Sequence, residues 1–111
     1  MLIGFDQIPE THVVGPKGGK GDIYQRTVSD DFCRIVRGCL APGGQVGLHT
    51  HEKDSEIIYI LSGTGKVLCD GVYEPLEAGS CHYCPKGHEH SLINDSEGDL
   101  CFLAVIPLHE V

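Results

Sequence analysis

His49 and His51 stand one residue apart, with a carboxylate five positions later at Glu56. In an extended chain side chains alternate with a period of two, so the two histidines point to one side. On a helix the same pair would lie about 200° apart and could not share a small ion. Glu56 is an odd number of positions away and does not join them by alternation. It joins them if the chain turns back at Lys53-Asp54-Ser55 and a second strand begins at Glu56. The run Ile57-Ile58-Tyr59-Ile60-Leu61 supplies that strand. The chemistry expected is metal binding between two neighbouring strands.

Other residues compete for a chemical role. Cys81 and Cys84 have the Cys-x-x-Cys spacing of a zinc or redox pair. On a strand they would face opposite sides, about 10 Å apart, too far to share an ion or a disulfide. His82 lies on the same strand and could face a cavity as a proton carrier, since histidine titrates near neutrality. It is the candidate catalytic residue. His88 repeats the His-x-His spacing with His90 but falls on the preceding loop. Arg34 and Arg37 have opposite parity on one strand, so only one can reach an interior to pair a substrate carboxylate. Thr11 to Asp22, with Gly15 to Gly21 within it, is glycine-rich, yet it lacks the Gly-Lys-Ser/Thr ending of a phosphate loop and no helix follows it. It reads as a loop, with a lid over a pocket as the second reading.

The elements that would hold these residues are short strands. Ile23 to Val28, Phe32 to Leu40, Val46 to His51, Glu56 to Leu61, Lys66 to Cys69, Val72 to Leu76, Ser80 to Cys84, His90 to Asn94 and Leu100 to Pro107 are separated by turn residues. Met1 to Pro9 reads as a further short strand or arm. Asp70-Gly71 is a type I′ hairpin signal. With no convincing helix, the fold class is all-β, a sandwich or barrel.

The 111 residues suit one domain, 1–111, with an arm and glycine-rich loop over 1–22 and a binding core over 43–94. An apolar fraction of 41% suffices for a core. The formal charge of −8 argues against nucleic acid and against an anionic membrane surface. The absence of a transmembrane run and of a leader points to a cytoplasmic protein. Six cysteines are then expected as reduced thiols, with Cys33, Cys39, Cys69 and Cys101 buried as small hydrophobes. After Glu56 the outward set Ile57, Tyr59 and Leu61 is as apolar as the inward set Ile58 and Ile60. Such a strand expects cover from a second subunit, hence a homodimer.

Two longer patterns emerge. The first is Gly43-x5-His49-x-His51-x4-Glu56-x6-Gly63. The second is Gly79-x5-Pro85-x-Gly87-x2-His90-x3-Asn94. Together they resemble the two motifs of the cupin superfamily, in the short-spacer form of small bacterial single-domain members. The resemblance implies a double-stranded β-helix, a jelly-roll barrel of six to eight strands. It implies a metal held by His49, His51, Glu56 and His90. Three imidazoles and one carboxylate suit a divalent ion such as Mn, Fe, Co, Ni, Cu or Zn. An octahedral ion so held keeps two positions for a substrate with adjacent oxygens. The expected function is a metal-dependent enzyme on a small oxygen-rich molecule, of dioxygenase, sugar-acid isomerase or epimerase, or decarboxylase type. The alternative is a small-molecule binding or sensing module for a sugar or carboxylate. Oxalate-decarboxylating cupins typically carry arginine three residues before the first histidine; here that residue is Val46.

Overall fold

The computed structural model describes residues 1–109. Ten strands form two sheets that face each other. They are β1 (Thr11–Val14), β2 (Asp22–Ser29), β3 (Cys33–Leu40), β4 (His49–Thr50), β5 (Glu56–Ser62), β6 (Thr64–Cys69), β7 (Val72–Glu77), β8 (Cys81–Cys84), β9 (Glu89–Ile93) and β10 (Leu100–Pro107). The larger sheet runs β1-β2-β3-β10-β5-β8 and the smaller β4-β9-β6-β7. Every pairing is antiparallel. This is the jelly-roll architecture, with the two extra strands β1 and β2 extending one edge of the larger sheet.

Alternation places the core. Val36 and Leu40 from β3, Ile58 and Ile60 from β5, and Leu100, Phe102 and Ala104 from β10 point inward and are buried. Val67 and Leu92 meet them from the smaller sheet. Each fully buried aliphatic side chain of this kind stabilises the fold by about 1.5–3 kcal/mol. The same parity turns Ile57, Tyr59 and Leu61 outward, where all three are exposed.

The turns follow their residues. Asp70 and Gly71 both take positive φ, 49° and 81°, and close the β6–β7 hairpin as the type I′ signal requires. Gly63 has φ 88°, and a Cβ there would strike the Asp99 backbone, so this corner between the sheets tolerates only glycine.

Three expectations change. Residues 1–9 hold no strand; a short 3-10 turn, Phe5–Gln7, lies there instead. The first strand is β1, inside the stretch read as loop, because Thr11–Val14 pairs with β2 from Asp22 to Gln25. Val46–His51 is only briefly a strand, at His49–Thr50, since Gly47 lies against the glycine-rich loop rather than on a neighbouring strand.

The cysteines also differ. Cys39 and Cys101 face each other across the β3–β10 pair, with Cα atoms 4.1 Å apart, and are joined by a disulfide. The expectation of six reduced thiols took account of compartment and not of register; directly opposed positions on antiparallel strands bring two sulfurs together. Cys33, Cys39, Cys69 and Cys101 are only partly buried, and the fully buried cysteine is Cys84. No helix among the described residues is long and apolar enough to cross a membrane.

Candidate metal centre

His90 is the centre of the site. On β9 it lies opposite His49 of β4. Its Nε2 lies 2.9 Å from His51 Nε2, 3.2 Å from His49 Nε2 and 2.9 Å from Glu56 Oε1. His51 Nε2 is 3.1 Å from the same Glu56 oxygen. The turn at residues 52–55 reverses the chain, so β5 begins at Glu56 on the facing sheet. That reversal brings the odd-numbered carboxylate to the histidines.

The far nitrogens are held. His49 Nδ1 donates to Gly47 O at 2.7 Å, and His51 Nδ1 donates to Asp54 Oδ1 at 2.6 Å. A carbonyl and a carboxylate can only accept, so each neutral ring keeps a lone pair on Nε2. His90 Nδ1 is 2.9 Å from His82 Nε2, and a proton donated from His90 to His82 frees the third Nε2 in the same way. Three imidazole lone pairs and a carboxylate oxygen then converge on one place. Their separations match the edge of an octahedron with metal bonds of about 2.1 Å, which is about 3.0 Å. His49, His51, Glu56 and His90 therefore form a group that could hold a metal ion.

Electrostatics agree with that fit. Burial pushes the Glu56 carboxyl up, but hydrogen bonds from His51 and His90 and the charge they carry outweigh it, and the carboxyl lies at about 2. His51 is raised, first by its bond to Glu56, against burial, and then by Asp54. His49 is lowered, chiefly by burial, with His90 and His51 adding repulsion. A proton on His51 and a cation thus compete for one position beside an ionised Glu56.

A cavity of about 570 Å³ lies over this group. Its lining is mixed: apolar Ile58, Leu92 and Phe102, the acids Asp30 and Asp54, and the cations Arg34 and Lys17.

Residues 36–106 match the family model described as a cupin domain. The chain belongs to the cupin family. This cupin is 35% identical over 114 residues to the oxalate-binding protein of Thermotoga maritima, spanning 97% of this chain and 94% of that one. It superposes on a predicted oxalate decarboxylase from Thermotoga maritima with a TM-score of 0.90 and 34% identity, covering 97% of this chain and 99% of the other. It shares its fold with the polyketide cyclase RemF of Streptomyces resistomycificus, with a TM-score of 0.78 and 23% identity, over 96% of this chain and 78% of that one.

The remaining candidates of this cupin fall in different places. His82 is buried, but it is not among the residues lining the cavity; it stands behind His90. A proton carrier facing substrate is therefore not what its position provides. Burial, reinforced by His90, lowers its pKa. His88 is half-exposed and pairs with Asp70 on the surface, as its loop position suggested. Arg37 faces outward towards Asp6, so Arg34 is the arginine in the cavity. Asn94 is buried and clamps the loop after β9 by donating to Leu40 O and Gly98 O, both at 2.8 Å.

Sequence reading missed Asp54, which sits in the turn and anchors His51. Its signal was available, because an acid three residues after a ligand histidine lies within reach of the ring across a turn. The glycine-rich loop is a fixed wall and not a free lid. Lys20 and Gln45 exchange backbone hydrogen bonds at 3.0 and 2.8 Å, Gly47 N donates to Pro16 O at 2.9 Å, and Lys17 reaches the cavity.

Proposed function

We propose that His49, His51, Glu56 and His90 hold a divalent first-row metal and that this cupin is a metal-dependent enzyme on a small oxygen-rich anion. The observation that carries the reading is the convergence of three Nε2 atoms on Glu56 with each Nδ1 held from behind. A metal there supplies Lewis acidity to a chelated pair of oxygens, in dioxygenation, isomerisation or decarboxylation. Protein side chains supply the rest of the recognition.

Arg34 is the residue we assign to that recognition. It has no salt-bridge partner among the described residues. The register sets Val105 opposite Ile57 and Ile106 opposite Arg34, so Arg34, Ile106 and Glu56 fall on one row of the larger sheet. Two strand spacings separate Arg34 from Glu56 at the backbone, about 10 Å. A small dicarboxylate or hydroxy acid chelated beside Glu56 would present its second charge towards the guanidinium. Val46 lines the same cavity, so the arginine here enters from β3 and not from the segment before His49.

A second reading is binding without turnover. It is favoured by the relative of Thermotoga maritima described as an oxalate-binding protein. Elemental analysis followed by calorimetry with oxalate, malonate and succinate separates the two, with product formation assayed on the same samples. The enzyme reading expects bound metal, binding and turnover of an oxygen-rich anion; binding alone supports the second. A protein with no affinity for Mn, Fe, Ni or Zn overturns the enzyme reading, and one that also binds none of these anions overturns the second. Arg34→Gln should weaken the anion about ten- to a hundredfold while leaving metal content unchanged.

The outward apolar residues Ile57, Tyr59, Leu61 and the neighbouring Tyr83 support a homodimer through the larger sheet. Light scattering after gel filtration should give twice the chain mass at micromolar concentration; the monomer mass would reject this assembly.

A further inference from the structure

The metal centre lies between two rows of inward side chains. The larger sheet contributes Arg34, Ile106, Glu56 and then Cys84, which lies opposite Glu56 on β8. The smaller sheet contributes His49, His90 and then Cys69, which lies opposite His90 on β6. The first ligand group forms where Glu56 meets His49 and His90. One strand further along both rows, Cys84 and Cys69 meet across the interior. His82, two residues before Cys84 on the same face of β8, completes the group. One ligand atom from each of Cys69, His82 and Cys84 lies within 4.8 Å of the others.

We propose that Cys69, His82 and Cys84 form a second metal site, for a soft closed-shell ion such as Zn(II), Cd(II) or Cu(I). Two thiolates and an imidazole are a ligand set for such ions and a poor one for Mn or Mg. Ligand atoms on a tetrahedral ion stand about 3.3–3.8 Å apart, so side-chain rotation of modest size closes the group. Cys84 is fully buried and His82 nearly so, which keeps competing water away. Cys69 is partly exposed. His82 also lines a separate cleft of about 440 Å³ beside β6, β7 and β8, together with Glu74 and Cys81. The Cys-x-x-Cys spacing is thus only half used. Cys81 is exposed, while Cys84 finds its partner thiol on the other sheet.

The test uses the full chain with Cys33→Ser and Cys81→Ser, stripped of metal by a chelator and kept free of air and added thiol. Cd(II) is titrated while the ultraviolet thiolate-to-metal band is followed. One equivalent of Cd(II) should develop the band, and Cys69→Ser, at a partly exposed position that tolerates the change, should weaken binding at least tenfold. Mn(II) uptake followed by electron paramagnetic resonance on the same samples reports the Glu56 centre. Glu56→Gln should abolish that uptake and leave the Cd(II) band in place, which separates the thiol signal from the Glu56 centre. A neutral His82 that gives its lone pair to Cd(II) no longer accepts from His90 Nδ1, so Cd(II) should weaken Mn(II) uptake in the starting protein. No band in the starting protein, or a band of unchanged affinity in Cys69→Ser, overturns the second site. Unchanged circular dichroism and Mn(II) uptake show that each thiol variant is folded.

Discussion

His90 has two sides, and the protein furnishes them differently. Its Nε2 faces a carboxylate and two more imidazoles, and its Nδ1 faces His82 with two thiols beyond. On the first side Glu56 is held at about 2 and His51 is raised, because acid and base satisfy each other. On the second side burial pushes the Cys84 thiol up to about 12, and the neighbouring Cys69 adds to it. Both regions are interior to the same barrel. Burial alone therefore does not decide ionisation; the partner that the register places opposite does. The same β-strand alternation yields one donor group of imidazoles and a carboxylate, and one that sets two thiols beside an imidazole.

The largest expected effect lies on the Nε2 side. His51→Ala or Glu56→Gln should lower metal affinity by about a hundredfold or more, against little change in His88→Ala, measured by competition with a coloured chelator. Equal affinity in all three would remove the contrast between ligand and surface histidines.

Next comes acid stability of the metal-stripped protein. The Glu56 carboxyl is depressed from 4.5 unfolded to about 2 folded. Its contribution is therefore fully present above about pH 4.5 and is lost as pH falls through 2. That contribution is on the order of 3 kcal/mol. Urea unfolding at a series of pH values should show Glu56→Gln less stable than the parent near pH 6, with the gap closing towards pH 2. A gap independent of pH would mean that the carboxylate charge is not what stabilises this region.

Smaller effects should follow from the groups behind the rings. Asp54→Asn and His82→Gln should each reduce metal affinity about ten- to a hundredfold, because they hold His51 and His90 in the tautomer that presents Nε2. If His82→Gln leaves Mn(II) affinity untouched, the two sides of His90 are independent and His82 serves only the thiol side.

Much of this protein was legible in one dimension. Period-two alternation identifies the inward set Ile58 and Ile60 and the exposed set Ile57, Tyr59 and Leu61. The Asp70-Gly71 pair fixes its hairpin through positive φ. His49, His51 and Glu56 follow from alternation and a turn, which are local properties of the chain, whereas His90 entered only through the resemblance of the second motif to the cupin pattern. Arg34 against Arg37, the thiol partner of Cys84, the Cys39–Cys101 bridge and the position of His82 were not legible in this way. Each depends on which strand lies beside or across from another, and so on pairings between residues tens of positions apart. Local sequence determines which side of its own strand a residue occupies. Only the closed, two-sheet packing decides what stands opposite, which is why the metal motif could be read from the chain and the Cys69–His82–Cys84 group behind it required the fold.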